Sequence, residues 1–194
     1  MRGVVERPAG LVYEPELIDR ATERALLDRL AHLDLEPVVM RGRAARRTVR
    51  HFGYGYDFDS WELRPTDPLP PWLVSVRQSA SVLADRPPDH FEQALVTCYP
   101  PGASIGWHRD ANAFGGVVLG LSLGTPAAMR FQRKAAGGER RVFEQPLEPR
   151  SAYVLAGAAR SVWQHSVPAV AAVRYSLTFR SVRRSARDGS DKLE

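Results

Sequence analysis

The strongest constraint on the fold of this chain is a run of short segments that begins at residue 91. Each segment is rich in β-branched or aromatic residues, and turns containing proline or glycine separate them. In order they are FEQALVTCY, GVVLGLSLG, AAMRFQR, RVFEQPL, SAYVLAG and RYSLTFRSV. Strands of this length and spacing are typical of an antiparallel sandwich or barrel. We therefore expect the C-terminal half to be a β structure.

The N-terminal half has a helical pattern instead. Between Glu14 and Leu33 apolar residues recur at intervals of three and four, which predicts an amphipathic helix. A second helix is predicted from about Pro71 to Ala84, because the prolines of PLPPWL suit a helix start. The 194 residues, 44% of them hydrophobic, suit a single domain. These features predict a mainly β, α+β fold with flanking helices.

Positive charge is concentrated in one short stretch. The net charge is +5, and the segment RGRAARRTVR contains no acid. Its five arginines are Arg41, Arg43, Arg46, Arg47 and Arg50. Such a cluster either binds a polyanion such as nucleic acid or forms a solvated surface, and composition alone leaves both interpretations open.

Cellular location is constrained by what the sequence lacks. The N-terminus has no uninterrupted apolar run, and no segment approaches the ~20 apolar residues of a membrane-spanning helix. The only cysteine is Cys98, which excludes an internal disulfide and a zinc cluster built on thiolates. We expect a cytoplasmic protein without membrane contact, and we expect it to be a monomer.

The segment IGWHRDANAFGG contains the first group of chemically active side chains. If it is a strand, His108 and Asp110 face the same side. A further histidine, His165, lies in the strand-like segment SVWQHSV. Two histidines and one carboxylate form the facial triad of non-haem iron(II) oxygenases. By itself a His-x-Asp with a distant histidine is a weak signal, since a single histidine is more often packed or hydrogen-bonded than a metal ligand.

The C-terminal segment RYSLTFR adds a second feature. Polar residues alternate with Tyr175, Leu177 and Phe179, and they are Arg174, Ser176, Thr178 and Arg180. One interpretation is a half-exposed strand with its polar face in water. The other is a cosubstrate site, because an arginine fork matches a carboxylate of 2-oxoglutarate.

Taken together, these motifs resemble the AlkB-like family of Fe(II)- and 2-oxoglutarate-dependent dioxygenases. The resemblance covers most of residues 92 to 182 through YPPGASIGWHRD, LGLSLGTPAAMRF, SAYVLAGAARSVWQHSV and RYSLTFR. It implies a double-stranded β-helix (jelly-roll) core whose iron ligands are His108, Asp110 and His165. It also implies that Arg174 binds the distal carboxylate of 2-oxoglutarate with help from Tyr99, and that Arg180 lies near the metal end. The implied cofactors are Fe(II), 2-oxoglutarate and O2.

The resemblance also implies a domain layout and a nucleotide-recognition lid. Residues 1–183 would form one domain, with helices and lid up to about residue 90 and the catalytic core over 91–183; residues 184–194 would form a polar, disordered tail. The lid segment is RHFGYGYDF, in which Tyr54 or Tyr56 would stack on an extruded base. The alternative is that Phe52, Tyr54, Tyr56 and Phe58 form a buried strand face. With the lid in place, Arg46 and Arg47 would contact phosphates.

Some positions depart from the family pattern. Several members carry asparagine where this chain has Thr97 and Ser176, both of which can still hydrogen-bond to the cosubstrate. Base-repairing members often carry an acid where this chain has Asn112, a further candidate for substrate contact. Arg109 would face away from the iron, toward substrate or solvent. We expect Trp107 and Trp163 to pack in the jelly roll, and the remaining histidines to lie at the surface, namely His32, His51 and His90.

The resemblance implies oxidative dealkylation of N-alkylated nucleobases in single-stranded DNA or RNA, with release of succinate, CO2 and an aldehyde. Alternatives on the same iron site are a tRNA-modifying hydroxylase or demethylase and a protein or small-molecule hydroxylase. A noncatalytic nucleic-acid-binding module would not need the iron and cosubstrate residues, and their joint presence argues against it.

Overall fold

A computed structural model describes residues 4–40, 42–56 and 62–183. The positions of Arg41, Phe58 and the predicted tail lie outside these residues. The described helices are α1 (Arg20–Leu30), α2 (Pro71–Ser81) and α3 (Gly157–Ser161). The described strands are β1 (Val4–Val5), β2 (Leu11–Glu14), β3 (Glu36–Met40), β4 (Arg43–Phe52), β5 (Tyr54–Tyr56), β6 (Leu63–Pro65), β7 (Gln93–Tyr99), β8 (Ile105–His108), β9 (Phe114–Gly124), β10 (Ala127–Lys134), β11 (Arg140–Leu147), β12 (Ala152–Leu155), β13 (Gln164–Val167) and β14 (Arg174–Val182).

Two sheets form the core, as the sequence predicts for a jelly roll. The larger has the order β2-β12-β9-β14-β7-β4-β3, and the smaller has the order β1-β11-β10-β13-β8. Neighbouring strands are antiparallel except for β1 and β11. All six apolar segments after residue 91 lie in strands, which confirms the sequence prediction. Strands β5 and β6 form a separate two-stranded ribbon.

The N-terminal half contributes more to the sheets than its helical pattern suggests. Strands β2, β3 and β4 extend the larger sheet at both edges, and β1 extends the smaller one. The prediction that this half supplies mainly helices and a lid is therefore wrong in part. The segments that form these strands are short or charged. They lack the long period-two apolar pattern that marks a buried strand.

Both long helices cover the outer face of the larger sheet. Buried residues of α1 and α2 pack with outward-facing side chains of β7, β9 and β14 in one cluster, which includes Leu26, Leu30, Leu73, Val76, Val96, Leu121, Leu177 and Phe179. The predicted helix over 14–33 is shorter in the structure because Asp19 caps it, accepting a hydrogen bond from the Thr22 backbone N–H at 2.7 Å. In the described residues no helix has the length and apolar character needed to cross a membrane.

Strand β14 lies between β9 and β7, so both of its edges are paired. Leu177 and Phe179 face the helices, whereas Arg174 and Arg180 point into a cavity between the sheets and are 1% and 6% exposed. The half-exposed strand in water is therefore the wrong interpretation of the RYSLTFR pattern. A polar strand face buried on this scale requires polar partners or a polar ligand.

Candidate active site

The pairing of β8 with β13 brings the two predicted histidines together. His108 lies directly opposite His165 in the antiparallel register, and the centroids of their rings are 4.3 Å apart. His108 is further held by a hydrogen bond of 2.9 Å between Nδ1 and the Gly106 carbonyl oxygen. With Nδ1 engaged in this way, Nε2 of His108 is the nitrogen left for a ligand.

Asp110 joins the histidines from a loop and not from a strand. Strand β8 ends at His108, so strand alternation does not place Asp110, and that part of the sequence argument is wrong. Its carboxylate nevertheless reaches the site, with Oδ2 at 3.7 Å from His165 Nε2 and Oδ1 accepting a hydrogen bond of 3.1 Å from Arg180 Nη1. The Arg180 guanidinium also lies 3.8 Å from the centroid of the Phe114 ring.

The charge state of Asp110 is set by opposing effects. Burial raises the pKa of its carboxyl, but the positive charge of Arg180, followed by the fields of His165, His108 and Arg160, lowers it by more. The net result is a pKa below the ordinary aspartate value, so Asp110 is ionised at neutral pH. The same burial lowers the pKa of His165 to about 4, helped by the neighbouring His108. His165 is therefore neutral at pH 7.

Two imidazoles and one ionised carboxylate are donors that suit Fe(II). All three side chains line the same cavity. The only thiol, Cys98, cannot contribute, since it lies on β7 between Thr97 and Tyr99, which are the cavity-facing residues of that strand. The donor chemistry thus fits the metal that the resemblance implies.

Arg174 is the second charged feature of the site. Its guanidinium is almost completely buried, donates from Nε to Ser122 Oγ at 3.2 Å and lies 5.1 Å from the centroid of the Tyr99 ring. Among the described residues no carboxylate lies within ion-pair distance of it. A buried guanidinium without a counter-ion is costly unless an anionic ligand supplies one. The predicted cosubstrate residues Thr97, Tyr99 and Ser176 line the cavity beside it.

One cavity of about 430 Å³ contains all of these groups. It is lined by His108, Asp110 and His165 as well as by Arg174 and Arg180, so the predicted metal and cosubstrate residues share a single space. Its volume lies in the range of small-molecule sites. Tyr153 also faces it, because Gly120 on the neighbouring strand has no side chain to collide with the tyrosine ring.

The segment predicted to form the lid, RHFGYGYDF, divides between two elements. Gly53 adopts a positive φ of 78° and lies against the Glu92 carbonyl, where a side chain would not fit, so β4 ends and β5 begins there. Tyr54 and Tyr56 are both half-buried on β5, but only Tyr56 lines the cavity. Its ring centroid lies 5.9 Å from that of Phe114.

The arginine cluster also divides, because β4 presents alternate residues to opposite sides. Arg47 lines the cavity with Val49 and His51. Arg46 lies beside Gly102, and Arg50 donates to Asp67 at 2.6 Å, so neither lines the cavity. The structure therefore places one of the two predicted phosphate-binding arginines at the site.

Three other predicted positions lie at or near the rim. Asn112 is exposed and does not line the cavity. Arg109 lines it and donates to the Val162 carbonyl at 3.3 Å, so it does not simply face away. Trp107 is 42% exposed and lines the cavity, which makes the prediction that it packs in the core wrong; Trp163 is buried as predicted.

Sequence reasoning missed several buried polar residues. Arg160, on α3, donates to four backbone carbonyls around Asp110: those of Asp110 at 3.2 Å, Ala111 at 3.0 Å, Phe114 at 3.4 Å and Gly115 at 3.2 Å. It is thus a positioning residue for the loop.

The prediction that His51 lies at the surface is also wrong, since it is partly buried and lines the cavity, where it contacts the fully buried Gln93.

The buried histidines make the stability of the metal-free protein depend on pH. Burial lowers the pKa of both His51 and His165 to about 4, from an ordinary value of 6.5. As the pH falls below 6.5 the unfolded chain binds protons on these rings while the folded chain does not. The free energy of unfolding should therefore fall toward pH 4, by up to about 1.4 kcal/mol per pH unit for each ring.

Urea denaturation of the metal-free protein at a series of pH values measures this slope. His51→Gln should reduce it, and an unchanged slope in His51→Gln would contradict the prediction.

Comparisons with known proteins give the family. A family model described as the 2OG-Fe(II) oxygenase superfamily matches residues 24–180. A Mus musculus protein named tRNA (carboxymethyluridine(34)-5-O)-methyltransferase ALKBH8 is 29% identical over 170 residues, which are 85% of this chain and 25% of that protein. An Arabidopsis thaliana protein named Alkylated DNA repair protein ALKBH8 homolog is 26% identical, over 82% of this chain and 51% of its own length. The chain thus spans between about a quarter and half of these relatives.

A solved structure supports the fold independently. OsALKBH1 is 17% identical and superposes with a TM-score of 0.68 over 91% of this chain and 98% of that chain. The resemblance inferred from the sequence is confirmed for family, fold and enzyme class. The family match extends from α1 to Arg180 and includes the cavity residues on β7 to β14. This chain therefore belongs to the 2OG-Fe(II) oxygenase superfamily, as an AlkB-like dioxygenase that uses Fe(II), 2-oxoglutarate and O2.

Proposed function

We propose that this dioxygenase oxidises an N-alkyl group on a nucleobase of single-stranded DNA or RNA, with His108, Asp110 and His165 as its Fe(II) ligands. One observation carries the proposal. A single cavity joins the three metal donors and the uncompensated Arg174 to an aromatic and basic mouth that contains Tyr56 and Arg47.

Arg174 is proposed to bind the distal carboxylate of 2-oxoglutarate. Its Nε is engaged by Ser122, so the two terminal nitrogens of the guanidinium are left for a bidentate contact. Tyr99, Thr97 and Ser176 line the same end of the cavity and supply hydroxyl groups. Hydroxyls at 97 and 176 replace the asparagines of several family members while keeping the capacity to hydrogen-bond.

The protein residues around the metal ligands hold them in place. Arg180 fixes one oxygen of the Asp110 carboxylate, and Arg160 fixes the backbone carbonyls of Asp110 and Ala111. Bound Fe(II), with 2-oxoglutarate and O2, supplies the oxidation of the alkyl C–H bond, and 2-oxoglutarate leaves as succinate and CO2. A hydroxylated N-methyl carbon then loses formaldehyde and returns the nitrogen to its N–H form.

Tyr56 is proposed to stack on the extruded base. Tyr56→Ala should weaken binding of a methylated single-stranded oligonucleotide by about 10-fold, because stacking a base on an aromatic ring contributes ~1–3 kcal/mol. Tyr54→Ala is the matched control, since Tyr54 lies on the same short strand without lining the cavity. Fluorescence anisotropy measures both. Equal losses in the two variants would argue against stacking by Tyr56.

Arg47 and Arg46 give a second matched pair. Arg47→Gln should weaken oligonucleotide binding and reduce the dependence of log Kd on log salt by about one phosphate contact. Arg46→Gln should leave the slope closer to that of the wild type, because Arg46 faces away from the cavity. If Arg47→Gln keeps the wild-type salt slope, Arg47 makes no phosphate contact and is only a solvated surface residue.

The function is tested by anaerobic reconstitution with Fe(II) and 2-oxoglutarate, followed by exposure to air with methylated single-stranded oligonucleotides and tRNA. Succinate and base mass are scored together. Succinate stimulated by a substrate that loses a methyl mass supports dealkylation and identifies the base. Succinate with no change in any nucleic acid would point to a protein or small-molecule hydroxylase on the same site.

Action on tRNA is the second candidate. The specific observation in its favour is that the Mus musculus relative is named as a tRNA-modifying protein, whereas the Arabidopsis thaliana relative is named for alkylated DNA repair. A gain of one oxygen mass in tRNA, without loss of a methyl group, would favour this hydroxylase over the dealkylase.

A further inference from the structure

His51 lies in the cavity although no metal or cosubstrate role accounts for it. It is on β4, shortly before the β5-β6 ribbon, and it faces the same side of the strand as Arg47 and Val49. It therefore belongs to the part of the wall where the proposed substrate base would enter. The inference that follows rests on the proposed function and concerns which bases this wall accepts.

A chain of hydrogen bonds connects His51 to the metal site. Arg180 donates from Nη1 to Asp110 Oδ1 at 3.1 Å and from Nε to Gln93 Oε1 at 2.9 Å. The amide of Gln93, which is fully buried, contacts His51 Nδ1 through Nε2 at 3.3 Å. This chain links a residue on the substrate side of the cavity to a proposed iron ligand through two intermediate side chains.

The chain determines where the proton of His51 lies. A guanidinium nitrogen only donates, so the Gln93 atom that faces Arg180 must be the amide oxygen. The amide NH2 of Gln93 therefore faces His51 and donates to Nδ1, which must be unprotonated to accept. A neutral imidazole carries its single proton on the other nitrogen. His51 is thus the Nε2–H tautomer.

Burial and the charge of Arg180 act in the same direction. Together they lower the pKa of His51 to about 4, so the ring is neutral at pH 7. In the part of the chain that the structure describes, Nε2 of His51 has no hydrogen-bond partner. The cavity wall consequently offers one oriented N–H donor to a ligand that fills the cavity.

We propose that His51 Nε2–H donates a hydrogen bond to a carbonyl oxygen of the target base, so that the site selects bases with a keto group. Alkylated uracil, thymine and guanine meet this requirement. An alkylated adenine has no carbonyl and presents an amino group, which is itself a donor. The His51 N–H would then face another donor or have no partner. Sites built around a buried donor reject ligands that lack the matching acceptor.

The tautomer is tested directly by ¹⁵N NMR of the histidine rings in the metal-free protein at pH 7. We expect His51 to show an unprotonated Nδ1 and a protonated Nε2, with His51→Gln identifying the signal by its loss. A protonated Nδ1 would overturn the inference, whatever the enzyme activity.

The selectivity is tested with two single-stranded oligonucleotides that differ only in carrying 3-methyluracil or 1-methyladenine. In the wild type, kcat/KM for 3-methyluracil should exceed that for 1-methyladenine about 10-fold, which is the effect of one lost hydrogen bond. His51→Phe keeps a ring but removes the donor, so the ratio should fall toward one. A wild-type ratio near one, or an unchanged ratio in His51→Phe, would overturn the inference.

Gln93→Glu supplies an opposite prediction in a side chain of the same shape. A carboxylate in place of the amide accepts from both neighbours, so Nδ1 of His51 becomes a protonated donor. The ¹⁵N signal of His51 Nδ1 should therefore change from unprotonated to protonated in Gln93→Glu, a readout that does not depend on turnover, and an Nδ1 that stays unprotonated would overturn the inference. Failure of both oligonucleotides to bind the wild type or to stimulate succinate would overturn the proposed function itself.

Discussion

Replacing Asp110 with alanine should abolish turnover of 2-oxoglutarate, because Asp110 is the only carboxylate of the proposed iron site. We expect the affinity for Fe(II) to fall by more than about 100-fold, since loss of a residue that merely supports a metal ligand costs about 10- to 100-fold. Succinate production after anaerobic loading measures the turnover. Titration with Mn(II) or Co(II) measures metal binding without relying on activity.

The matched control for this prediction is Asp89→Ala, which removes an exposed aspartate between α2 and β7. It should retain both metal binding and succinate production. Undiminished succinate from Asp110→Ala would show that the iron site lies elsewhere, and a thermal melt of each variant separates loss of metal from loss of fold.

Replacing Arg174 with methionine should raise the KM for 2-oxoglutarate by about 100-fold while leaving the fold intact. The loss reflects two charge-assisted hydrogen bonds to one carboxylate. The free energy of unfolding of the ligand-free protein should not fall, because methionine fills a similar volume and removes a buried charge that no carboxylate compensates. Steady-state kinetics and urea denaturation measure the two effects.

Arg174→Lys distinguishes charge from geometry. Lysine keeps the positive charge but lacks the planar fork, so its KM should lie between those of the wild type and the methionine variant. An unchanged KM in Arg174→Met would contradict the assignment and leave Arg180 as the arginine that binds the cosubstrate.

Much of the fold was predictable because its strongest determinants are local. The segments around Val96, Leu121 and Leu177 carry a strand pattern between turn residues, and each of them lies in the larger sheet. Strands β3 and β4 were not predicted as sheet edges. The stretch around Arg46 is highly charged, and it becomes a strand by pairing with β7, a contact between residues distant in the chain.

The residues of the site were likewise predictable only in part. His108 and His165 were predicted from their residue types and spacing, and their cross-strand pairing places them together. The predicted face sharing of Asp110 was wrong because β8 ends first, and the arginine that holds its loop comes from α3. His51 was assigned to the surface because a lone histidine carries no signal of its partners. Its partners, Gln93 and Arg180, become visible only when β4, β7 and β14 are placed side by side.

The two cosubstrate-site arginines and the metal ligand His108 lie on strands that differ in how many neighbouring strands they pair with. Arg174 and Arg180 lie on β14, which is paired on both sides at the centre of the larger sheet, whereas His108 lies on β8, which has one neighbouring strand within the described residues. Backbone amides in central strands exchange with solvent only when the whole domain unfolds, while those in singly paired strands exchange through local opening. The cosubstrate half of the site therefore persists as long as the fold does. Of the proposed metal ligands only His108 lies on a singly paired strand, because His165 is on β13 between β10 and β8. Local opening at β8 would therefore give an ion a route to the site while the rest of the fold stays in place.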